Sequence, residues 1–205
     1  MLYTQTITDE AGKLLKTLMR INELNQTRLV GGTSLALQLG HRKSDDLDFF
    51  GYFDNDCDLS EYFTDIQKVE KTATSRSMQF YNLNGIKVDF VRIDYPWLRD
   101  AVIEDGIRLA SVEDIAALKV NAIIGRGTRK DFIDLFFLLD CFSLKEILSF
   151  YSEKYKGISN IQMALRSMVY FDDAESDPMP EMLKPFDWSA AKTRIMKEIR
   201  LYNRF

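Results

Sequence analysis

The sequence predicts an α+β protein, in which a small mixed sheet with helices is followed by an all-helical half. Three observations lead to this fold class. Short segments that read as strands alternate with helical patterns through the first half of the chain. The dipeptide Asn84-Gly85 separates two such runs and is a strong hairpin signal. From Val112 onward the apolar residues have helical spacing, so we expect one domain at residues 1–110 and a helical domain at 111–205.

Turn residues and apolar spacing divide the first half into elements. Asp9 is the expected N-cap of the first helix, and Gly40 is expected to end the second. The predicted helices are 9–25, 33–40 and 59–67, and the predicted strands are 28–32, 46–53, two within 69–93, and 106–111.

The second half reads as a series of amphipathic helices. The segment "KDFIDLFFLLD" is apolar nearly all round, which predicts a central, buried helix. A polar link with prolines, 172–187, precedes a last helix that starts near Trp188. The other predicted helices of this half are 111–125, 144–155 and 160–171.

Composition limits the partners and the compartment. The net charge of −4 argues against a broad electrostatic grip on nucleic acid. A local basic cluster, "GRGTRK", contains Arg126, Arg129 and Lys130, and is either such a grip or a solvated helix face. No apolar run reaches the roughly 18 residues of a membrane helix, and the N-terminus lacks a signal segment. We expect a cytoplasmic protein with free thiols and no membrane contact.

A run of acids begins a strand that otherwise reads as buried. In "RKSDDLDFF", side-chain alternation directs Asp46 and Asp48 to one face and Leu47 and Phe49 to the core. Asp45 is then a flanking, solvated acid. Two adjacent carboxylates repel each other unless a cation neutralises them. Carboxylates completed by substrate phosphates are how proteins hold Mg²⁺.

Two further features of the sequence, one before and one after the acid pair, are candidates for the same site. Asp89 interrupts an apolar strand and is a third metal ligand, an edge-strand acid or the partner of an arginine. Gly31-Gly32, followed by a helix starting at Thr33-Ser34, is either a plain tight turn or a cradle for an anion at the helix N-terminus.

Two common motifs are excluded. No Gly-Lys-Ser at P-loop spacing and no GxGxxG is present. The acidic run 54–65 resembles a calcium loop at its start, but Leu59 replaces the required glycine and Asp65 the bidentate glutamate. A helix-capping acidic turn is the better interpretation.

Taken together, these motifs resemble the nucleotidyltransferase fold of the polymerase-β type. The version "GGTSLALQLGHRKSDDLDFF" is similar to the AbiEii/AbiGii toxin family, which includes MenT-type toxins. The block "DIAALKVNAIIGRGTRKDFIDLFFLL" and the tail "SMVYFDDAESDPMPEMLKPFDW" also resemble that family. The resemblance covers roughly residues 28–190. It implies a polymerase-β-like core followed by a C-terminal helical bundle.

The resemblance also implies roles for individual residues. The metal, Mg²⁺ or Mn²⁺, would be held by Asp46, Asp48 and Asp89, and Asp89 would also act as general base or position the attacking hydroxyl. Lys119 and Asp134 would complete the catalytic set. The NTP would be bound by Gly31, Gly32, Thr33, Ser34, Arg42, Ser44, Lys119 and Asp131.

The helical members of this set have structural interpretations as well. Lys119 lies among apolar residues, so it either extends to water or meets an anion. Asp131 and Asp134 are three residues apart and share a helix face. They either belong to the site or pair with nearby basic residues and hold helices together.

The function implied by the resemblance is Mg²⁺-dependent transfer of a nucleoside monophosphate from an NTP to an acceptor, with the 3′ end of a tRNA as the expected acceptor. The chain would be the toxin of a bacterial toxin–antitoxin or abortive-infection pair, with a cognate antitoxin or regulator as partner. Two alternatives are a catalytically silent nucleotide-binding module of the same fold and an antibiotic-type small-molecule nucleotidyltransferase.

Overall fold

A computed structural model describes residues 1–54 and 57–203 of the chain. Its contacts define two compact units, one of residues 1–95 and 100–111 and one of residues 96–99 with the chain from residue 112 onward. The first unit contains helices α1 (Asp9–Leu18) and α2 (Gly31–Leu39) and strands β1 (Thr27–Val30), β2 (Leu47–Gly51), β3 (Val69–Ser75), β4 (Met78–Leu83), β5 (Ile86–Arg92), β6 (Val102–Glu104) and β7 (Ile107–Leu109).

The seven strands form one mixed sheet in the order β3-β4-β5-β2-β1-β7-β6. Strand β2 runs parallel to β5 and antiparallel to β1. One face of the sheet packs into the hydrophobic core of this unit. There the rings of Phe49 and Phe90 stack with their centroids 5.1 Å apart. Leu47 and Val88 lie beside them with no exposed surface, so side-chain alternation leaves the opposite face of β2 and β5 for polar residues.

The sheet contains more strands than the sequence predicted. The Asn84-Gly85 turn between β4 and β5 is confirmed, with positive φ at both residues. Residues 69–93 hold three strands rather than the two predicted. Strand β3 was not recognised as a separate strand, because all seven of its residues are exposed and mostly polar and so lack an apolar period. Strand β6 has only three residues and pairs with β7 across Asp105-Gly106, a second turn with positive φ.

Two predicted helices are wrong in extent. The first helix ends at Leu18 rather than near residue 25, and its N-cap is Thr8, whose hydroxyl accepts the Ala11 N–H, rather than Asp9. The helix predicted at 59–67 is only a 3₁₀ turn, Leu59–Tyr62, with Asp58 as its cap. Its first N–H, that of Leu59, donates to the side chain of Gln79, a tertiary contact that no local pattern reveals. Residues 55 and 56 of the acidic run lie outside the described part of the chain.

The second unit is helical, as predicted. Helix α3 packs against α4, α5 and α6, and α4 contributes fully buried Phe132, Ile133 and Leu135. Helix α6 ends at Ser167, earlier than predicted, and the predicted link contains one short helix, α7. The helices are α3 (Val112–Gly125), α4 (Arg129–Leu138), α5 (Leu144–Lys154), α6 (Ile161–Ser167), α7 (Asp172–Glu175) and α8 (Trp188–Tyr202).

A buried ion pair attaches residues 96–99 to this unit. The carboxylate of Asp114 accepts the N–H groups of Leu98 and Arg99 and binds Lys154 Nζ at 2.8 Å. The Lys154 ammonium also donates to the Pro96 carbonyl. In the described part of the chain, no helix is long and apolar enough to cross a membrane.

Candidate active site

Two of the predicted acids are neighbours on adjacent strands. Asp48 of β2 and Asp89 of β5 are register partners in a parallel pair, one strand spacing apart, about 4.8 Å. Both lie on the face opposite the Phe49–Phe90 core. The polar face predicted for β2 therefore continues onto β5, where Asp89 lies beside Asp48. The sequence could not show that these two residues are neighbours.

Asp89 is mostly buried, with 8 % of its surface exposed. Its Oδ2 binds Lys87 Nζ at 2.7 Å, whereas its Oδ1 is buried and has no hydrogen-bond partner in the described residues. Because β5 lies between β4 and β2, Asp89 is not an edge-strand acid, and the partner in its ion pair is a lysine rather than an arginine. A buried carboxylate oxygen without a partner is costly in a folded protein, and a cation would relieve that cost.

Lys87 is a site residue that sequence reasoning missed. Its hydrogen bond to Asp89 raises its pKa, burial opposes this, and the charges of Asp89, Asp48 and Asp46 add to the increase. The available signal was the strand period of two, which places Lys87 and Asp89 on one face.

The two glycines leave room for charged side chains. A Cβ on Gly31 would overlap Oδ2 of Asp48, and Gly31 also has a positive φ of 70°. A Cβ on Gly32 would overlap the guanidinium of Arg42. Both glycines lie in the first turn of α2, which begins two residues earlier than predicted. The N-terminal end of this helix therefore lies beside a carboxylate and a buried guanidinium.

Hydroxyl groups tie the first turn of α2 to the loop before β2. The Thr33 hydroxyl donates to the backbone carbonyl of Asp46 and lies 2.9 Å from the Ser44 hydroxyl. Arg42 is 1 % exposed and donates to the Lys43 carbonyl at 3.0 Å. Ser34 is buried, and its carbonyl accepts from Gln38. Thr33, Arg42 and Ser44 are thus brought together, and their predicted contact with a nucleotide stays a prediction.

The remaining two acids of the run lie in the loop before β2, outside the paired strands. Asp46 precedes β2 and is exposed. Asp45 is also exposed, and its Oδ1 accepts the N–H of Thr8, the cap of α1, at 2.7 Å. Asp45 therefore connects the loop to the N-terminal helix rather than to the acid pair.

Asp48 and Asp89 fit a magnesium site in their donor chemistry. Mg²⁺ is commonly bound by one or two carboxylates together with substrate phosphates, and among the described residues Asp89 Oδ1 has no hydrogen-bond partner. Within residues 1–54 and 57–203, no three His, Cys, Asp or Glu side chains are placed to hold a metal ion by themselves. The donor set fits a site that substrate completes, and the set of Asp46, Asp48 and Asp89 stays a prediction.

The predicted helical site residues form a network in the second unit. Lys119 of α3 binds Asp131 Oδ1 at 2.9 Å and Asp134 Oδ2 at 2.6 Å, and both carboxylates are fully buried. Arg126 adds a bidentate contact to Asp131, and Asp131 also forms the capping box of α4 with Thr128. The network joins α3 to α4, as the structural interpretation expected. The predicted contact of Lys119 with a nucleotide is not tested by this geometry.

Electrostatics hold Asp131 ionised. Burial alone would raise the pKa of the Asp131 carboxyl, but the Lys119 ammonium and the Arg126 guanidinium outweigh it and hold the pKa well below the usual range.

Arg129, the second arginine of "GRGTRK", donates to the carbonyls of Ala174 and Glu175. Two basic residues of the cluster therefore serve contacts within the unit.

Comparisons with known proteins identify the family of this chain. A model of the family described as nucleotidyl transferase AbiEii toxin, type IV TA system, matches residues 13–203. An uncharacterized protein of Aquifex aeolicus is 32 % identical over 200 residues, which cover 94 % of this chain and 96 % of that protein.

Two solved structures share the fold. JHP933 from Helicobacter pylori matches with a TM-score of 0.63 and 17 % identity, covering 95 % of this chain and 92 % of the other. The nucleotidyltransferase toxin MenT4 of Mycobacterium tuberculosis H37Rv matches with a TM-score of 0.65 and 14 % identity, covering 92 % and 81 %. The first unit therefore has the polymerase-β-like nucleotidyltransferase fold, as predicted. The match over nearly the whole chain shows that this protein belongs to the AbiEii toxin family and is a nucleotidyltransferase.

Proposed function

We propose that this enzyme transfers a nucleoside monophosphate from an NTP to an RNA acceptor, the 3′ end of a tRNA, in a Mg²⁺-dependent reaction. The observation that carries the proposal is the pairing of Asp48 with Asp89 beside the first turn of α2. The Oδ1 of Asp89 is buried and has no hydrogen-bond partner in residues 1–54 and 57–203. As a toxin of this family, it would be controlled by a cognate antitoxin in the same cell.

The close contact of Gly31 with Asp48 supports a role for a cation. A helix N-terminus attracts phosphate through its unpaired N–H groups and its dipole. Here, however, a carboxylate lies against the first residue of α2 and would repel a triphosphate. The Arg42 guanidinium beside Gly32 attracts phosphate at this helix end, and a cation bound by Asp48 would remove the repulsion on the side of Gly31.

The roles of the chain's own residues follow from this arrangement. Asp48 and Asp89 would hold the divalent cation, which when bound supplies Lewis-acid stabilisation of charge on the transferred phosphoryl group. Asp46 lies at the exposed entrance to β2 and would bind as a further ligand in the substrate complex. Thr33 and Ser44 would orient the phosphates, because their hydroxyls are linked to each other beside the acids. Asp89 would also position the attacking hydroxyl.

The predicted catalytic roles of Lys119 and Asp134 belong to the same proposal. Within the second unit, Lys119 is held by two carboxylates, so its ammonium has a fixed position. These roles need a test that separates a contact with substrate from a contribution to folding.

Transfer can be measured with each of the four α-³²P-labelled NTPs, Mg²⁺ and total tRNA. We expect the wild type to label RNA, and Asp48→Asn and Asp89→Asn to lower the rate by roughly 100-fold or more, the scale seen when a preorganised electrostatic group is removed. Asp45→Asn is the matched control, because it changes an acid three residues from Asp48 that binds Thr8 instead.

Equal labelling of RNA by the wild type and Asp48→Asn would refute the assignment of the acids. Labelling of an aminoglycoside but not of RNA would support the small-molecule alternative. In cells, induced expression should slow growth, and the double variant Asp46→Ala/Asp48→Ala should not. Relief of the wild-type effect by a co-expressed neighbouring gene would identify the antitoxin.

A further inference from the structure

Lys87 lies at the acid pair without having been assigned to the reaction. It precedes Asp89 by two residues in β5 and therefore shares its face of the sheet. Its Nζ is 2.7 Å from Asp89 Oδ2. The ammonium thus occupies one oxygen of the carboxylate whose other oxygen, Oδ1, has no hydrogen-bond partner in the described part of the chain.

The two partners of this ion pair differ in exposure. The Asp89 side chain is 11 % exposed, whereas that of Lys87 is 60 % exposed. Water solvates the separated ammonium well at this exposed position. Departure of the lysine leaves the buried carboxylate without its counter-charge, so Lys87 can leave Asp89 at small cost only when another cation takes its place.

We propose that Lys87 is the resident counter-ion of the acid pair and that a divalent cation must displace it from Asp89. This inference rests on the proposed function, since it takes Asp48 and Asp89 as metal-binding carboxylates. Before displacement, the ammonium competes with the metal for Asp89 Oδ2 and repels it. After displacement, the flexible stem of Lys87 allows the ammonium to reach a phosphate of the incoming NTP.

The consequence is that metal and nucleotide bind together. A metal ion alone must overcome the lysine, whereas an NTP brings negative charge that accepts the displaced ammonium. Lys87 thereby keeps the metal affinity of the nucleotide-free enzyme low. The coupling between metal and nucleotide should weaken when the charge at position 87 is removed, and by reciprocal linkage the metal should then also increase nucleotide affinity less.

The test is a titration of the full-length protein with Mn²⁺, read from the electron paramagnetic resonance signal of the free ion. In the absence of nucleotide, Lys87→Met should bind Mn²⁺ about tenfold more tightly than the wild type, since a like charge a few ångströms from the ion has been removed. Addition of a non-hydrolysable NTP analogue should then increase Mn²⁺ affinity less in Lys87→Met than in the wild type.

Two control variants isolate the effect. Lys87→Arg keeps the charge and should retain weak Mn²⁺ binding. Lys71→Met removes a lysine that pairs with Asp58 at 3.0 Å, away from the acid pair, and should leave the Mn²⁺ affinity unchanged. Lys87→Gln repeats the charge removal with a polar side chain and is used if the methionine variant does not fold.

The outcomes separate this inference from the proposed function. Unchanged or weaker Mn²⁺ binding in the charge-removal variants, with binding lost in Asp48→Asn, would overturn the role of Lys87 and leave the metal site intact. Absence of Mn²⁺ binding in the wild type and in every variant, with the analogue present, would overturn the metal site itself.

Discussion

The Asp48 carboxylate occupies the space in which any residue other than glycine at position 31 would carry its Cβ. Gly31 also has a φ of 70°, a conformation that other residues adopt only with strain. The glycine therefore serves two separate requirements, the backbone turn that starts α2 and the position of an acid on β2. This relationship can be tested by substitutions that separate the two requirements.

We expect Gly31→Ala to lower the free energy of unfolding by about 2–4 kcal/mol, the sum of left-handed strain and steric overlap, and to abolish RNA labelling because Asp48 must move. Gly85→Ala is the matched control, since Gly85 also has a positive φ, 88°, but a Cβ added there would meet no atom of the described residues within 4 Å. It should lose only about 1–2 kcal/mol and keep its activity. Urea unfolding and the labelling assay measure both effects. Full activity in Gly31→Ala would contradict the proposed position of Asp48.

Asp45 should matter for stability rather than for transfer. Its carboxylate accepts the N–H of Thr8 at an exposed position, so Asp45→Ala should cost about 1 kcal/mol of stability, the net value of one hydrogen bond. Labelling should stay within about twofold of the wild type, because exposed changes distant from the reacting atoms are well tolerated. A loss of activity comparable to that of Asp48→Asn would show that Asp45 belongs to the metal site.

Lys119→Met should strongly destabilise the second unit. It leaves the fully buried carboxylates of Asp131 and Asp134 without their shared ammonium, and breaking a buried pair in this way costs about 3–5 kcal/mol. Chemical denaturation checks this value, and Lys156→Met, at an exposed position, should have little effect. If Lys119→Met is as stable as the wild type but inactive, the network is dispensable for folding and Lys119 acts on substrate alone.

The depressed pKa of Asp131 makes a prediction about acid stability. Because the carboxyl has a lower pKa in the folded protein than in the unfolded chain, its contribution is present above the unfolded pKa, about 4, and is lost as the pH falls towards the folded value. The wild type should therefore lose stability steeply below about pH 4. Asp131→Asn should be less stable at pH 7 by on the order of 3 kcal/mol and show a flatter profile in acid.

Stability curves from pH 2 to 7, measured by urea unfolding, test this difference. Asp65→Asn, a change at an exposed carboxylate, should follow the wild-type profile. Parallel curves for Asp131→Asn and the wild type would mean that protonation of Asp131 does not cause the loss of stability at low pH.

Features of the fold that depend on a few neighbouring residues were predictable from the sequence. The Asn84-Gly85 hairpin was predictable because positive φ at adjacent positions favours these residue types. The buried helix α4 was predictable from its apolar composition. Strand β3 was not, because its exposed, polar residues are ordered by hydrogen bonds to β4 rather than by an apolar period.

The sequence by itself determined the family, the fold class and the candidate acids, since the glycines, the Asp-x-Asp pair and the strand acid are recognisable by type and spacing. Only the tertiary structure decided that Asp89 lies beside Asp48, that Lys87 holds its carboxylate, and that Gly31 makes room for Asp48. The physical reason is that strand pairing brings together residues some 40 positions apart, and the register decides which residues meet. A shift of one residue in that register would direct the acids towards the core.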